Sequence, residues 1–192
     1  MENTKLTQLY EDRCKTISDI NKLLPKLSWY ASRCNRIAEF GVRDGNSTIT
    51  FLHGMGNEGR KALYSYDLEP ATSEVAIRDA ISYPSDPWPK VTWTFLIADT
   101  RKASIPHVDM LFVDAWHSYD AVYAELSPAT RAGVHKYLAF HDTELFGWRD
   151  QRTDARRPGI LPAILQRLAN DGRWALDHYT QMNNGLTVFR RV

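Results

Sequence analysis

The sequence has few cysteines, almost no net charge and no long apolar run. Its two cysteines, Cys14 and Cys34, are too few for a disulfide framework and fit a reducing compartment. The 24 basic and 23 acidic side chains leave a formal net charge of +1, so nucleic acid is not expected as a partner. The N-terminus lacks a signal-peptide core, and no window approaches the ~18 apolar residues of a membrane helix. We therefore expect a cytoplasmic protein without a membrane partner.

What the chain does contain is an ordinary globular composition, with 43% hydrophobic and 24% charged residues. The length predicts one domain over residues 36–192, preceded by a helical segment over residues 1–35. Within that segment, apolar residues at helical spacing predict one helix over residues 3–27, which Pro25 is expected to end or kink. The glycine-bearing segment 54–59 and the proline-rich segment 84–89 predict loops.

Strand and helix patterns alternate along the rest of the chain, which is typical of an α/β protein. The predicted strands cover residues 36–40, 62–67, 91–97, 108–113, 134–140, 174–179 and 186–190. The predicted helices cover residues 47–53, with Asn46 or Ser47 as cap, 74–82, 119–131, with Ser118 as cap, and 158–170. The turn at 183–185 makes the last two strands a hairpin. The pattern predicts a doubly wound, mostly parallel seven-stranded sheet with an antiparallel last strand.

Polar side chains collect at or just beyond the predicted strand ends. In open α/β sheets, ligands bind at the carboxyl ends of the strands, so these positions form a candidate site. They are Glu39, Gly41, Asp67, Asp99, Asp114, His141 and Asp142.

The first strand leads into the turn Glu39-x-Gly41-x-x-x-Gly45-x-Ser47. Its glycines allow a sharp turn and close approach of the backbone to a ligand, so a valine at Gly41 is expected to block the pocket and spare the fold. No Gly-Lys-Ser/Thr follows, which argues against a nucleoside triphosphate. Glu39 indicates a cofactor with a cationic group, because a carboxylate repels phosphates; the alternative is an ordinary turn with an exposed glutamate.

Two further acids follow the second and third strands. Asp67 lies where α/β nucleotide-binding folds place an acid against ribose hydroxyls, and Glu69 competes with it for that role. Asp99 could accept a hydrogen bond from an adenine amino group, or it simply forms a turn.

The turn together with Asp67 resembles motif I and the acidic second motif of class I S-adenosylmethionine-dependent methyltransferases. Three further segments resemble a narrower group of small-molecule methyltransferases, related to macrolide-sugar O-methyltransferases and cephalosporin hydroxylases. They are Val108-Asp-Met-Leu-Phe-Val-Asp114-Ala-Trp-His117-Ser-Tyr, Leu138-Ala-Phe-His141-Asp142-Thr and Asn184-Gly185-Leu-Thr-Val.

The resemblance implies a Rossmann-like fold and S-adenosylmethionine as cofactor. It also implies methyl transfer to a hydroxyl of a small molecule, such as a sugar or a glycosylated metabolite. The implied cofactor-binding residues are Glu39, Gly41, Gly45, Ser47, Asp67 and Asp99. A rival hypothesis is a cofactor-binding or interaction domain of the same fold that does not transfer a methyl group.

Asp114, His141 and Asp142 lie at two strand ends and form a candidate set of metal ligands. Carboxylates suit Mg²⁺, and a histidine shifts the preference toward Mn²⁺. The related sugar methyltransferases have two acids where this chain has His141-Asp142. Under the alternative, Asp142 caps the next segment and His141 packs beneath a loop.

His117, three residues after Asp114, is the candidate catalytic base. A histidine can take the hydroxyl proton while a metal held in part by Asp114 lowers the pKa of that hydroxyl. The alternative is a histidine at a helix start that hydrogen-bonds to backbone.

The segment 143–157 shows no period and carries arginines at positions 149, 152, 156 and 157. It is either a lid over an anionic acceptor or a solvated loop. The chain has little sequence to cover the acceptor side, so a second protomer of a homo-oligomer is expected to contribute there.

Overall fold

A computed structural model describes residues 5–56, 60–82, 91–152, 157–169 and 171–192. Its seven strands are β1 (Arg36–Phe40), β2 (Lys61–Asp67), β3 (Val91–Ile97), β4 (Val108–Val113), β5 (Val134–His141), β6 (Trp174–Thr180) and β7 (Leu186–Arg191). Its helices are α1 (Lys5–Lys15), α2 (Leu24–Ala31), α3 (Asn46–Met55), α4 (Glu74–Ile81), α5 (Tyr119–Glu125), α6 (Pro128–Ala132) and α7 (Ile160–Leu168), with a 3-10 helix at Asn21–Leu23.

All seven strands form one sheet in the order β3-β2-β1-β4-β5-β7-β6. Strands β1 to β5 pair in parallel, whereas β7 runs antiparallel to both β5 and β6. The predicted fold class is confirmed, including the antiparallel last strand. Because β1 and β4 are neighbours that are not consecutive in the chain, the strand order reverses between them, and ligands bind at such a point in open sheets.

Helices cover both faces of the sheet, and successive side chains of the central strand β4 pack into two different cores. On β4, Met110 and Phe112 pack into the core formed with α1 to α4, while Leu111 and Val113 pack into the core formed with α5 and α7. All four side chains are at most 4% exposed. The nearly continuous apolar sequence of β4 thus reflects burial on both faces, as predicted.

The N-terminal segment is not one helix. The structure breaks it into α1, the 3-10 helix and α2, and Pro25 lies in the first turn of α2. A proline there lacks only an N–H that no helical carbonyl would have accepted, so Pro25 begins a helix where we predicted an end or a kink. Leu6, Leu24 and Leu27 join the same core as the sheet. The boundary at residue 35 stays a prediction.

Two helix starts also differ from the prediction. The helix expected over residues 119–131 is divided by Ser127 and Pro128, because Ser127 caps a new helix and accepts the N–H of Thr130. Ser118 caps α5 as predicted, accepting from the N–H of Ala121. Helix α3 instead begins after Gly45, which has φ +71° and provides no side-chain cap.

Within the described residues, no helix is long and apolar enough to cross a membrane. The predicted loop over residues 54–59 begins later than expected, because Gly54 and Met55 still belong to α3. Residues 57–59 of that loop, the predicted loop at 84–89 and residues 153–156 of the predicted lid lie outside the described residues.

Candidate active site

The glycine turn contacts the end of β4 directly. Gly41 has φ +90°, and a Cβ built there would lie 2.1 Å from the carbonyl oxygen of Asp114. A side chain at Gly41 would therefore collide with backbone. This corrects the expectation that a valine here would block a pocket and spare the fold: the missing side chain is what brings the turn against Asp114.

Glu39 is buried beside the turn and is bonded to neighbouring hydroxyl groups. Its side chain is fully buried. Its Oε1 accepts a hydrogen bond from Ser47 at 2.5 Å, and its Oε2 accepts from Thr48 at 2.7 Å and Ser65 at 2.6 Å. Burial raises the pKa of Glu39 to about 7, against the opposing effect of these hydroxyls. The carboxylate therefore fastens the first turn of α3 to β1 and β2. That Glu39 and Ser47 bind a cofactor stays a prediction.

Asp67 joins the end of β2 to the same turn. Its Oδ2 accepts the backbone N–H groups of Val42 at 2.7 Å and Arg43 at 3.1 Å, and its Oδ1 lies 3.3 Å from the N–H of Glu69. Next to it, Leu68 is 65% exposed. Asp67 thus shapes the turn and keeps an acceptor at the carboxyl end of β2.

Asp99 follows β3 and forms an ion pair with a neighbouring side chain. Arg101 donates to both of its carboxylate oxygens at 2.8 Å. The hydrogen bonds from Arg101 lower the pKa of Asp99 to about 2. Asp99 therefore accepts hydrogen bonds within its own turn. A ligand amino group would have to share its carboxylate with Arg101.

Asp114, His117 and Asp142 come together where β4 and β5 end. Nε2 of His117 lies 3.3 Å from Oδ1 of Asp114 and 2.9 Å from Oδ2 of Asp142. One ligand atom from each residue falls within 4.8 Å of the others, which is the spacing of a metal site. Oδ1 of Asp142 is buried without a hydrogen-bond partner among the described residues. Adjacent parallel strands bring these groups together, as the positions of the motifs predicted.

His141 stands beside this cluster and is almost fully buried. Its Nδ1 lies 3.0 Å from Oδ1 of Asp114 and 3.3 Å from Oδ2 of Asp142. Its Nε2 lies 2.9 Å from the carbonyl oxygen of Asn183 and 3.2 Å from that of Asp19, so Nε2 carries a proton. His141 thus links the two carboxylates to the backbone of Asn183 and Asp19. Its role as a metal ligand stays a prediction.

The four groups strongly alter one another's protonation. Burial would lower the pKa of His117, but hydrogen bonds to Asp114 and Asp142 raise it to about 10. The same carboxylates raise the pKa of His141 to about 11 in spite of its burial. Burial would raise the pKa values of Asp114 and Asp142, but the histidines hold both below their usual range. Without a cation the carboxylates therefore favour the protonated form of both histidines, and the histidines favour the ionised form of both carboxylates.

Sequence analysis missed two residues that hold His117. Phe146 stacks on its ring with centroids 5.1 Å apart, and Oε1 of Gln151 lies 2.9 Å from its Nδ1. Both lie in the segment predicted as a lid or a solvated loop, where no period or motif distinguishes them. Residues 143–152 are bound to the site by such contacts; whether the segment closes over an acceptor stays a prediction.

Comparison with known proteins agrees with this geometry. The family model described as a methyltransferase domain matches residues 38–143, more than half of the chain. The chain belongs to this methyltransferase family. Its membership and fold make it a class I, S-adenosylmethionine-dependent methyltransferase, as the motifs of the sequence implied. No curated protein sequence matches this methyltransferase.

Solved structures that share the fold of this methyltransferase include three complexes. An O-methyltransferase of Streptomyces achromogenes involved in tomaymycin synthesis, in complex with SAM, is 17% identical with a TM-score of 0.60, over 100% of this chain and 91% of its own. An O-methyltransferase from Bacillus cereus in complex with SAH is 15% identical with a TM-score of 0.59, over 100% and 92%. An SAH-bound methyltransferase of Podospora anserina is 16% identical with a TM-score of 0.58, over 100% and 89%.

Proposed function

We propose that this methyltransferase transfers the methyl group of S-adenosylmethionine to a hydroxyl group of a small molecule. The observation that carries the proposal is the cluster of Asp114, His117 and Asp142 beside the glycine turn. A hydroxyl is a weak nucleophile until its proton is removed, so an enzyme that methylates it needs a base and charges that favour the deprotonated oxygen. The cluster contains a histidine that could act as the base and two carboxylates that could hold a cation.

The cofactor site is assigned to the turn from Gly41 to Ser47 and the carboxyl ends of β2 and β3. The residues there fit the cofactor chemically, because the carboxylates of Asp67 and Asp99 suit the hydroxyl and amino donors of a nucleoside and disfavour phosphate. When bound, the cofactor supplies an electrophilic methyl group on a sulfonium. The bound SAM and SAH in solved structures of the same fold support this assignment.

The same cluster fits a divalent cation such as Mg²⁺ or Mn²⁺. Asp114 and Asp142 would hold it, with Nδ1 of His141 as the nitrogen ligand, so that Nε2 of His117 stays free to act as a base. Oδ1 of Asp142 is buried and has no hydrogen-bond partner among the described residues, and such an ion would satisfy it. A bound cation would supply positive charge that lowers the pKa of a nearby hydroxyl.

His117 is proposed as the base, and it must be neutral to accept a proton. In the structure the two carboxylates stabilise its imidazolium and raise its pKa to about 10. Positive charge held by Asp114 and Asp142 would compete with that stabilisation and lower the pKa of His117. Its Nε2 would then accept the proton of the acceptor hydroxyl, whose oxygen would take the methyl group that a bound cofactor supplies.

The acceptor side carries exposed apolar groups on the segments that contact the cluster. Leu145 and Trp148 follow Asp142, Met182 precedes Asn183, and Ile17 precedes Asp19; each is at least half exposed. Since apolar groups at a binding site favour apolar ligand surface, we propose an acceptor that combines its hydroxyl with an apolar portion, which a glycosylated metabolite would provide.

The proposal is tested by transfer of a labelled methyl group from S-adenosylmethionine to a panel of sugar, glycoside and phenol hydroxyls, with MgCl₂, MnCl₂ or a chelator. We expect methylated product that depends on added cation and falls about 10²–10⁴-fold in His117→Gln. His107→Gln is the control, because His107 precedes β4 at the amino end of the strand, whereas the site lies at the carboxyl end. Full activity with chelator would rule out the cation. Tight cofactor binding without transfer to any acceptor would favour the rival cofactor-binding domain.

A further inference from the structure

The base His117 has two ring nitrogens, and only one can face the reacting hydroxyl. Nε2 points to the carboxylates of Asp114 and Asp142 at 3.3 and 2.9 Å. Nδ1 points the other way, to Oε1 of Gln151 at 2.9 Å. Which nitrogen carries the proton in the neutral imidazole is therefore decided on the Gln151 side.

The orientation of the Gln151 amide follows from a second hydrogen bond. The backbone N–H of His117 lies 3.2 Å from the same side-chain atom of Gln151. A backbone N–H can only donate, so the atom it meets must be the amide oxygen and not the amide nitrogen. An amide oxygen accepts and cannot donate, and the Nδ1 that it also meets must therefore be protonated.

Two more contacts hold His117 and Gln151 in place. The backbone N–H of Gln151 donates to the carbonyl oxygen of His117 at 3.0 Å, which closes a reciprocal pair of bonds between the two residues. Phe146 stacks on the imidazole with an interplanar angle of 16°. The ring is thus held on one face by Phe146 and at its Nδ1 edge by Gln151.

We infer that Gln151 is a positioning residue that keeps the proton on Nδ1 of His117 and so leaves Nε2 as the nitrogen that accepts the hydroxyl proton. This inference rests on the proposed function for its catalytic meaning, but the hydrogen bond itself is independent of it. If Nδ1 lost its acceptor, the neutral ring could carry its proton on Nε2, and the lone pair would then face away from the reacting hydroxyl.

The inference also gives the segment after β5 a function in the free enzyme. Its residue Gln151 takes part in fixing the base before any acceptor arrives, which is how an active site is preorganised. Supporting hydrogen bonds of this kind to a functional histidine typically change activity about 10–100-fold when removed.

The test uses Gln151→Leu, which removes the acceptor at similar size, and Gln151→Glu, which retains an acceptor oxygen. Gln8→Leu on α1, where Gln8 is exposed and donates a hydrogen bond to Asp12 at 2.9 Å, is the matched control. Nuclear magnetic resonance of protein labelled with ¹⁵N-histidine follows the Nδ1–H proton of His117, assigned by its loss in His117→Gln. Thermal unfolding checks that each variant is folded.

We expect a slowly exchanging Nδ1–H resonance in the wild type, in Gln8→Leu and in Gln151→Glu, and its loss to solvent exchange in Gln151→Leu. With the best acceptor of the panel above, Gln151→Leu should lower kcat about 10–100-fold without changing KM for the cofactor. An unprotonated Nδ1 in the wild type, or an unchanged resonance in Gln151→Leu, would overturn the inference. If His117→Gln retained full activity, the proposed base would fail, and the resonance would still decide the role of Gln151.

Discussion

Nε2 of His117 lies 2.9 Å from Oδ2 of Asp142, although the two residues follow different strands. The contact exists because β4 and β5 are adjacent and parallel, so that both end at the same edge of the sheet. It makes the base and the carboxylates one electrostatic unit, and the following predictions depend on that coupling.

Removing the Asp142 charge should lower the pKa of His117. In Asp142→Asn we expect this pKa to fall from about 10 toward the ordinary 6.5, because one of the two carboxylates that stabilise the imidazolium is gone. The measurement is a magnetic resonance titration of the His117 ring with chelator present. Asp120→Asn, an exposed acid in the first turn of α5, should leave it unchanged. An equal drop in both variants would contradict the assignment.

The stability of the cation-free protein should decrease as pH rises from neutral. The folded pKa values of His117 and His141, about 10 and 11, lie above the unfolded value of 6.5. Their contribution to the free energy of unfolding is therefore full below about pH 6.5 and is lost as pH rises through about 10. Urea denaturation at about pH 6 and about pH 10 measures the loss. In His117→Gln the free energy of unfolding should differ less between the two pH values. A difference as large as in the wild type would contradict the coupling of His117 to the carboxylates.

Glu39→Ala should destabilise the fold and weaken cofactor binding together. Its loss leaves the buried hydroxyls of Ser47, Thr48 and Ser65 without their acceptor, for which we expect a cost of about 2–4 kcal/mol. Chemical denaturation gives the stability and calorimetry gives the affinity for S-adenosylhomocysteine. Glu11→Ala on the exposed face of α1 is the control. Normal stability with weak binding would instead show that Glu39 contacts the cofactor.

Gly41→Ala should unfold or strongly destabilise the protein, whereas Gly172→Ala should not. A Cβ at Gly41 would meet the backbone of Asp114 and Ala115, and the φ of +90° disfavours any side chain. At Gly172, by contrast, no atom of the described residues lies within 4 Å of an added Cβ. Thermal unfolding compares the two variants with the wild type. A stable Gly41→Ala protein with only the cofactor affinity reduced would restore the interpretation based on sequence alone.

Asp67→Asn should reduce affinity for S-adenosylhomocysteine about tenfold or more. A neutral amide is a weaker acceptor for ligand hydroxyls than a carboxylate, and about 1.4 kcal/mol corresponds to a factor of ten. Calorimetry measures the affinity, with Asp79→Asn on α4 as the control, since Asp79 pairs with Lys5 on the surface. Unchanged affinity would place the ribose elsewhere, with Glu69 as the next candidate.

Much of the fold could be predicted because burial leaves a clear period in the sequence. The uninterrupted apolar run of β4 and the turn before β7 predicted a sheet covered on both faces with a final hairpin, and both are present. Helix boundaries at Pro25 and Pro128 were predicted less well. Proline interrupts a helix in the middle but suits its first turn, and only the path of the chain distinguishes the two cases.

The sequence by itself determined which chemical groups stand at the carboxyl edge of the sheet, since strand ends and motif spacing are local properties. Only the tertiary structure decided what each group faces. It turned Glu39 inward onto three hydroxyls and brought Gln151 to His117 from a segment without any period. Hydrogen bonds between residues distant in the chain depend on how strands and loops meet in space, and no local pattern records that meeting.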